Sequence, residues 1–531
     1  MKATKYILSA VLACSSVVIY AQKGLDAPMT KAVMNVYQKL LDEDPKDYET
    51  YFHRANEYYK YNEYLKALDD INNALKYTPG NETDMRFQEY SLRANIYEML
   101  KKYDDALADL NSAAALNPAS YVTLYQRANV KYNLGRYSEA KSDYQRMQRI
   151  NNRSQEALIG LARVAVKENN LGLANEYIDQ AVAMTPSQSD IYVRRASVRT
   201  MMGNYNGAVD DLILAISTDK NNTKALQEIV DLSNTNYSAV MTGLSNAIRQ
   251  APKVGMFYYL RAVIASTHHN YLAAISDFNK IINENLYNYH GLYGSLAECH
   301  YALGNYTEAL NDINYAIGAT TNNRDYYVLK AKIKRATGNY EDALDCADKA
   351  LKKDINHNPA IIEKALALCD AKNYDDASAL FGEAILNDAE NSYYYMLRAW
   401  VLKDFMNQGN NANSFYERAA ELDVFNNNVR TLKGFSLLHQ GKKDKAIKWI
   451  EDILAGLRDS DGLEHYYATC LYAWSGDYDK AFEYMKIALQ NGYANYHQWK
   501  NDNDARINVA PLRKDPRFET LLNQFSIIFQ Q

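Results

Sequence analysis

The sequence predicts an all-α protein built as a tandem array of helix-turn-helix repeats. Three observations support this. Only 9 Pro and 22 Gly occur in 531 residues, and these two residue types destabilise helix interiors most. Similar segments recur, such as YNEYLKALDDINNAL from Tyr61 and LGNYTEALNDINYAI from Leu303. Their spacing indicates a unit of about 34 residues, the length of two short helices with their turns.

Small residues mark the points where the two helices of each repeat are expected to cross. An Ala is followed by a second small residue twelve positions later and by a third seven positions after that, because helices approach closely only where side chains are small. This pattern gives about thirteen units between Tyr48 and Gln490. Complete triplets begin at Ala55, Ala94, Ala162, Ala196, Ala297, Ala331 and Ala365, and partial ones at Ala128, Ala262, Ala399 and Gly434. A further partial match, Ala481 and Ala488, ends the series.

The turns complete the pattern of the unit. A Gly stands at the turn between the helices, as at Gly203 and Gly304, and a Pro follows the second helix, as at Pro79 and Pro118. Together with the small-residue triplets, these residues resemble the tetratricopeptide-repeat family over most of the chain. The resemblance implies a right-handed α-solenoid superhelix of helix pairs, in which the first helix of each pair lines a concave groove.

Both ends of the array are predicted to carry caps, because a terminal repeat needs its outer apolar face covered. Residues 22–47 are expected to form an N-terminal capping helix. Residues 491–531 are expected to form a C-terminal capping extension, in which Asp515 and Pro516 begin a helix. The apolar faces are Val33, Val36, Tyr37, Leu40 and Leu41 in the first helix, and Phe518, Leu521, Leu522 and Phe525 in the second.

One irregular unit divides the array. Repeats one to five occupy residues 48–219, and repeats seven to thirteen occupy residues 254–490. Between them, residues 220–253 have lost the first small residue but keep Ala247 and Pro252. Two interpretations fit this degenerate unit: it bends or divides the solenoid, or its sequence has simply drifted.

The N-terminal segment, residues 1–21, is predicted to be a signal peptide that is cleaved near Ala21. Two lysines precede an apolar stretch over residues 6–20, which is the anatomy of such a signal. An alternative is lipid modification of Cys14, although the apolar run continues past that residue. No later apolar stretch is long enough to cross a membrane. We therefore expect an exported protein that is periplasmic or associated with the outer membrane.

Several function classes are disfavoured. The net charge of −5 lacks the basic footprint of a nucleic-acid-binding protein. The chain has no HExxH, GxSxG or GxxxxGK[ST] pattern, and the cysteines outside the signal segment match no zinc spacing. We therefore expect no catalysis, no cofactor and no metal, and a protein that binds other proteins.

An Arg on the first helix and an Asp sixteen residues later on the second helix recur together in five repeats. One interpretation is a basic groove for acidic ligands. The other is a set of structural ion pairs that tie the helices together, which is favoured because Arg forms bidentate pairs with carboxylates. The pairs are Arg54–Asp70, Arg93–Asp109, Arg127–Asp143, Arg195–Asp211 and Arg261–Asp277.

Three Asn residues at equivalent positions suggest a partner-binding groove. By the resemblance, the residue after the first small Ala faces inward, and in the first three units it is Asn56, Asn95 and Asn129. Because Asn both donates and accepts hydrogen bonds, the three predict a ladder for an extended peptide, similar to the asparagine ladder of the O-linked N-acetylglucosamine transferase family. The alternative is a tolerated polar residue on a solvated face. Neighbours on the same face are Phe52, Tyr59, Ser91, Glu98, Tyr125 and Tyr132.

These observations lead to one functional hypothesis and one alternative. The hypothesis is a protein–protein interaction scaffold of the bacterial cell envelope, which binds envelope or secreted polypeptides in its concave groove. The alternative is a carrier or accessory factor for an envelope glycan or a secretion substrate. The fold cannot choose between them, because function resides in the site and not in the architecture.

Overall fold

The all-α prediction is confirmed by a computed structural model. Within its described residues the chain forms 29 α-helices and two short 3₁₀-helices, without a β-strand. The predicted signal peptide and Cys14 lie outside the described residues. The described residues are 28–287, 291–320, 322–422, 432–457, 462–502 and 504–528.

The helices before the irregular unit comprise one leading helix and five pairs. Each pair is joined by a turn of three residues, such as Tyr61–Asn62–Glu63 between the first two. The helices are α1 (Pro28–Glu43), α2 (Tyr48–Lys60), α3 (Tyr64–Tyr77), α4 (Thr83–Met99), α5 (Tyr103–Leu116), α6 (Tyr121–Asn133), α7 (Tyr137–Ile150), α8 (Gln155–Lys167), α9 (Leu171–Met184), α10 (Ser189–Met201) and α11 (Tyr205–Thr218).

The irregular unit is a complete helix pair, α12 (Thr223–Thr235) and α13 (Tyr237–Gln250). Its turn is shorter than the others, since Asn236 alone joins the two helices. The described chain falls into two compact units whose boundary lies inside α13, between Gly243 and Leu244. We call them the N-terminal unit and the C-terminal unit. That this repeat bends the solenoid stays a prediction.

Seven further pairs and a C-terminal tail complete the chain. The tail, residues 491–528, contains two α-helices and, between them, two 3₁₀-helices (Asp504–Arg506 and Ala510–Leu512). The helices are α14 (Gly255–Thr267), α15 (Tyr271–Asn283), α16 (Gly291–Ala302), α17 (Tyr306–Ala319), α18 (Arg324–Ala336), α19 (Tyr340–Leu351), α20 (Asn358–Asp370), α21 (Tyr374–Asn387), α22 (Ser392–Asp404), α23 (Gly409–Leu422), α24 (Leu432–His439), α25 (Lys443–Gly456), α26 (Leu463–Ser475), α27 (Tyr478–Gln490), α28 (Tyr496–Lys500) and α29 (Pro516–Ile528).

The small residues lie where the helices cross. In the first repeat, Ala55, Ala67 and Ala74 are each 0% exposed. The turn residue adopts a left-handed backbone, with φ of 75° at Gly203, which is the conformation that Gly reaches without steric cost. Asn62 occupies the same turn position with φ of 62°, so the turn geometry is kept where Gly is absent.

In both units, the first helices of successive repeats lie closer together than the second helices do. The first helices α6 and α8 are in contact, as are α8 and α10, and in the C-terminal unit α18 and α20. No two successive second helices of the described chain pack as closely. The first helices therefore form the inner side of each run of repeats, and we call that side the inner face of the unit.

The leading helix α1 is only partly buried. Of its five predicted apolar residues, Leu41 is buried and Tyr37 is half-buried. Val33, Val36 and Leu40 remain exposed. The helical period of the apolar residues predicts a stripe, but it does not determine which edge of the stripe packs against α2.

Candidate functional site

The inner face of the N-terminal unit presents the three predicted Asn residues. Asn56 lies on α2, Asn95 on α4 and Asn129 on α6, and each side chain is partly exposed. Each follows a buried Ala that packs against the second helix of its repeat. The next residue lies about 100° further around the helix, so it faces the inner side. Phe52, Tyr59, Ser91, Glu98 and Tyr125 are also partly exposed, and Tyr132 is buried.

Two of the three carboxamides are held by neighbouring side chains. Gln126 Nε2 donates a hydrogen bond to Asn95 Oδ1 at 2.6 Å, and Tyr144 Oη donates to Asn129 Oδ1 at 2.7 Å. Both carboxamide oxygens therefore have a hydrogen-bond partner inside the protein, and Nδ2 is free to donate to a ligand. The peptide ladder stays a prediction, and in it Asn95 and Asn129 offer their Nδ2 groups as donors.

Tyr144 reaches Asn129 because Gly160 on the neighbouring first helix leaves room for its ring. Tyr144 is 0% exposed, and a Cβ atom at Gly160 would lie 2.4 Å from the ring, far inside van der Waals contact. Burial raises the pKa of the Tyr144 phenol, so the hydroxyl keeps its proton and donates. The orientation of Asn129 is thus determined by packing beneath the inner face.

Arg163 on α8 is an inner-face residue that the sequence reasoning missed. Its Nη1 donates to Asn129 Oδ1 at 3.5 Å, and its Cζ lies 4.2 Å from the centroid of the Tyr132 ring. The prediction covered only the first three repeats, yet a step of one repeat from Asn129 leads directly to Arg163. The repeat spacing was therefore the signal that could have found it.

Glu98 is a partly buried acid on the same face, in the second repeat. Burial raises the pKa of its carboxyl group. Tyr59, one repeat earlier, packs against Tyr64 with a centroid distance of 5.9 Å, and burial likewise raises the pKa of its phenol. The face thus combines amide, aromatic and charged groups.

The five predicted Arg–Asp pairs are brought together. In each, Nε and Nη2 of the guanidinium donate to the same carboxylate. The closest N–O distance is 2.6–2.7 Å in every pair, and the five Asp are 2–6% exposed. Each guanidinium charge is neutralised by an Asp of the same repeat, which favours the structural interpretation over a basic groove. The pairs are Arg54–Asp70, Arg93–Asp109, Arg127–Asp143, Arg195–Asp211 and Arg261–Asp277.

The remaining guanidinium nitrogen of these arginines reaches the preceding repeat. Nη1 of Arg195 lies 3.0 Å from Asp179 on α9, and Nη1 of Arg93 donates to Asn72 on α3 at 2.8 Å. In four of the five repeats the arginine therefore joins three helices: its own, the second helix of its repeat and the second helix of the preceding repeat. Arg54, in the first repeat, instead reaches Gln38 on the leading helix α1. The sequence spacing predicted the first connection and not the second.

The inner face of the C-terminal unit is covered by the C-terminal tail. Trp499 is 0% exposed, with its ring centroid 4.7 Å from that of Tyr466 on α26. His439 on α24 bonds through Nε2 to the carbonyl oxygen of Ala505 at 3.1 Å. Trp474 Nε1 donates to the carbonyl oxygen of Asn508 at 2.9 Å. The tail therefore runs across first helices of several repeats before α29 packs against α27.

Arg335 on α18 forms an ion pair with the tail. Its Nη2 lies 3.0 Å from Asp504 Oδ2, its Nε lies 2.7 Å from Glu363 Oε1 and its Nη1 lies 3.2 Å from Asp370 Oδ2. The Glu363 side chain is 3% exposed. One guanidinium thus links two first helices of the array to the tail.

His497 provides a second polar contact. Its Nε2 and Nδ1 lie 2.8 Å and 2.7 Å from the hydroxyl oxygens of Tyr301 and Tyr306. Burial lowers the pKa of His497 to about 4, so the imidazole is neutral at neutral pH. The sequence predicted a cap on the last repeat. It did not predict that the tail extends back to α16.

Within the described ranges, no group of three or more His, Cys, Asp or Glu side chains is arranged to hold a metal ion. Cys299, Cys346, Cys369 and Cys470 are buried free thiols. Among the helices that the structure describes, none combines the length and the apolar character needed to cross a membrane.

Comparison with known families agrees with the helix pairs. Residues 125–189 and residues 334–401 each match a model of the tetratricopeptide repeat. The chain contains tetratricopeptide repeats. Tetratricopeptide-repeat arrays generally act as protein-interaction scaffolds, and this general role in binding other proteins applies to this chain.

Several solved structures are similar to parts of this tetratricopeptide-repeat chain. A tetratricopeptide repeat protein from Parabacteroides merdae is 19% identical, covers 48% of this chain and 98% of its own, and has a TM-score of 0.31. Yeast Tom70 is 15% identical, and the match covers 71% of this chain and 92% of the Tom70 chain with a TM-score of 0.33. YrrB, described as a TPR protein with an unusual peptide-binding site, is 20% identical. The match covers 37% of this chain and 98% of the YrrB chain, with a TM-score of 0.28. No curated protein matches the chain.

Proposed function

We propose that this tetratricopeptide-repeat protein is a scaffold of the bacterial cell envelope, and that it holds an extended segment of a partner polypeptide on the inner face of its N-terminal unit. One observation carries the proposal: Asn95 and Asn129 stand one repeat apart with their carboxamide oxygens bonded inside the protein. Their Nδ2 groups are then placed to donate to the backbone carbonyls of a bound chain. Asn56 extends the row by one repeat.

The two units support different roles. In the C-terminal unit the inner face is occupied by the chain's own tail, through Trp499, Asp504 and His497. In the N-terminal unit no described segment lies across Asn56, Asn95 and Asn129, whose side chains are all partly exposed. We therefore place the partner on the N-terminal unit.

The cell-envelope location is proposed from the N-terminal segment, residues 1–21, whose basic start and apolar stretch are typical of a signal peptide. The partner is then an envelope or secreted polypeptide. A mature protein that begins at Gln22, established by mass spectrometry of the chain recovered from the envelope fraction, supports export. A chain recovered with its first residues intact contradicts it.

Capture from a detergent-solubilised envelope tests the scaffold role. With the full-length mature protein as bait, we expect one protein partner in constant stoichiometry after gel filtration, because a stable scaffold and its partner remain together. A bound glycan or a heterogeneous set of polypeptides would instead support the alternative, a carrier or accessory factor in transit. A bait in which Asn56, Asn95 and Asn129 are changed to Ala is the control for nonspecific capture, because polypeptides that it still retains do not depend on this row.

A further inference from the structure

Arg163 continues the row of Asn residues into the fourth repeat. Asn129 is followed one repeat later by Arg163 on α8, so the inner face of the N-terminal unit presents Asn, Asn, Asn and Arg in order. The Arg163 side chain is partly exposed and stacks on the Tyr132 ring at 4.2 Å. A guanidinium that stacks on an aromatic ring is held in place while its edge stays free to donate.

The charge of Arg163 is not neutralised within the described part of the chain. Other first-helix arginines of the N-terminal unit, such as Arg93 and Arg127, each donate twice to a buried Asp. No described carboxylate lies within ion-pairing distance of Arg163, and its Nη1 donates to the oxygen of Asn129 at 3.5 Å. It therefore differs from the structural arginines both in position and in having its charge available.

The contact with Arg163 also determines what Asn129 offers. A guanidinium has donors and no acceptor, so the Asn129 atom that faces it must be the carbonyl oxygen. Tyr144 donates to that same oxygen, and Nδ2 of Asn129 is left to face the open side. Asn95 is oriented the same way by Gln126. The face therefore presents hydrogen-bond donors in sequence, with a positive charge at the fourth repeat.

We propose that Arg163 is the charged anchor of this face, and that the partner segment places the side-chain carboxylate of an internal Asp or Glu on it. This rests on the proposed function and adds the chemistry of the partner. Charge complementarity selects an acidic residue, since carboxylates accept from guanidinium in a bidentate manner. The segment is internal because the inner face continues past Arg163 to the exposed Ser197 on α10, so a bound chain need not end there.

The repeat spacing sets the register of the segment. Packed helices lie about 8–10 Å apart, and an extended chain advances about 3.3 Å per residue. The carbonyl groups that meet Asn129 are then about three residues from the acidic residue, and those that meet Asn95 are about six residues from it. The partner is thus an extended polypeptide with one acidic side chain near one end of its contact region.

Selection from a displayed peptide library tests this assignment. Random peptides of about twelve residues are long enough to cross four first helices, and the bait is the full-length mature protein. We expect the enriched peptides to share an Asp or Glu. A synthetic, fluorescently labelled copy of an enriched peptide should bind the Arg163→Gln variant about 10- to 100-fold more weakly, because charge-assisted hydrogen bonds are lost.

A charge exchange completes the test. Arg163→Glu should reject the selected peptide and bind a copy in which its acidic residue is replaced by Arg. Circular dichroism establishes that each variant is folded, and Arg163→Gln keeps most of the side-chain length for packing on Tyr132. Enriched peptides that bind wild type and Arg163→Glu equally, but lose affinity for the Asn56/Asn95/Asn129 triple Ala variant, overturn the role of Arg163 alone. Failure to enrich any peptide, or equal binding to the triple variant, overturns the proposed function as well.

Discussion

Replacing Arg93 by Ala is expected to lower the free energy of unfolding of the N-terminal unit by about 3–5 kcal/mol, the range for breaking a buried ion pair. Arg93 donates through Nε and Nη2 to Asp109, both at 2.7 Å, and Asp109 is 4% exposed. No second described cation lies within ion-pairing distance of Asp109. The variant therefore leaves a buried carboxylate without a partner, and it also removes the bond to Asn72 on the preceding repeat.

Chemical denaturation separates this effect from changes in the C-terminal unit. All four tryptophans lie between residues 400 and 499, so their fluorescence follows the C-terminal unit, while circular dichroism follows both. We expect Arg93→Ala to shift the circular dichroism transition and to leave the tryptophan transition in place. An unchanged circular dichroism transition would contradict a structural role for these arginines.

Two control variants sharpen the result. Arg127→Ala should cost less, about 1–2 kcal/mol, because Lys131 Nζ remains 2.9 Å from Asp143. The double variant Arg93→Met with Asp109→Leu should recover most of the lost stability, since an apolar pair of similar size leaves no unpaired charge. Equal losses in Arg93→Ala and in the double variant would mean that the unpaired carboxylate of Asp109 is not the source of the lost stability.

Replacing Arg335 by Ala is expected to destabilise the C-terminal unit by about 3–5 kcal/mol and to release the tail from the inner face. Arg335 lies within 3.2 Å of carboxylate oxygens of Glu363, Asp370 and Asp504, so its removal leaves three acids close to one another. Tryptophan fluorescence during denaturation measures the loss of stability. Hydrogen exchange of residues 491–515 measures the release of the tail.

Asp504→Asn is the matched control, because it removes the charge on the tail and leaves the Arg335–Glu363 pair at 2.7 Å. We expect a smaller loss, about 1–2 kcal/mol, with faster hydrogen exchange confined to the tail. If Arg335→Ala leaves exchange in the tail unchanged, the tail is held by its apolar residues such as Trp499 and Leu512, and the polar contacts do not position it.

Much of the fold could be predicted from the sequence, because its determinants are local and repeated. Small residues such as Ala55 and Ala67 recur at the helix crossings, and helix geometry alone requires them there. Arg93 and Asp109 lie on either side of the turn that joins the two helices of one repeat, so a single repeat contains both partners. About thirteen copies of the small-residue pattern and five copies of the Arg–Asp spacing make the helix pairs and these ion pairs predictable from the sequence alone.

The path of the tail could not be predicted, because its contacts are distant in sequence and occur once. Asp504 meets Arg335 across 169 residues, and no periodicity marks either residue as a partner of the other. The hydrogen bonds to the carboxamide oxygens of Asn95 and Asn129 were hidden for a related reason, since their donors Gln126 and Tyr144 lie on other helices. The repeat spacing leads from Asn129 to Arg163, but the sequence pattern was a row of Asn residues, and an Arg does not match it.

The affinity of the captured partner for an Asn56/Asn95/Asn129 triple Ala variant, measured by calorimetry, tests the role of the N-terminal inner face most directly. Loss of three hydrogen bonds should weaken binding about 10- to 1000-fold. The matched control is Asn81/Asn117/Asn152 changed to Ala, which removes three exposed carboxamides from turns between repeats and should leave affinity unchanged. A triple variant that is folded by circular dichroism and binds as tightly as wild type would contradict a partner on this face.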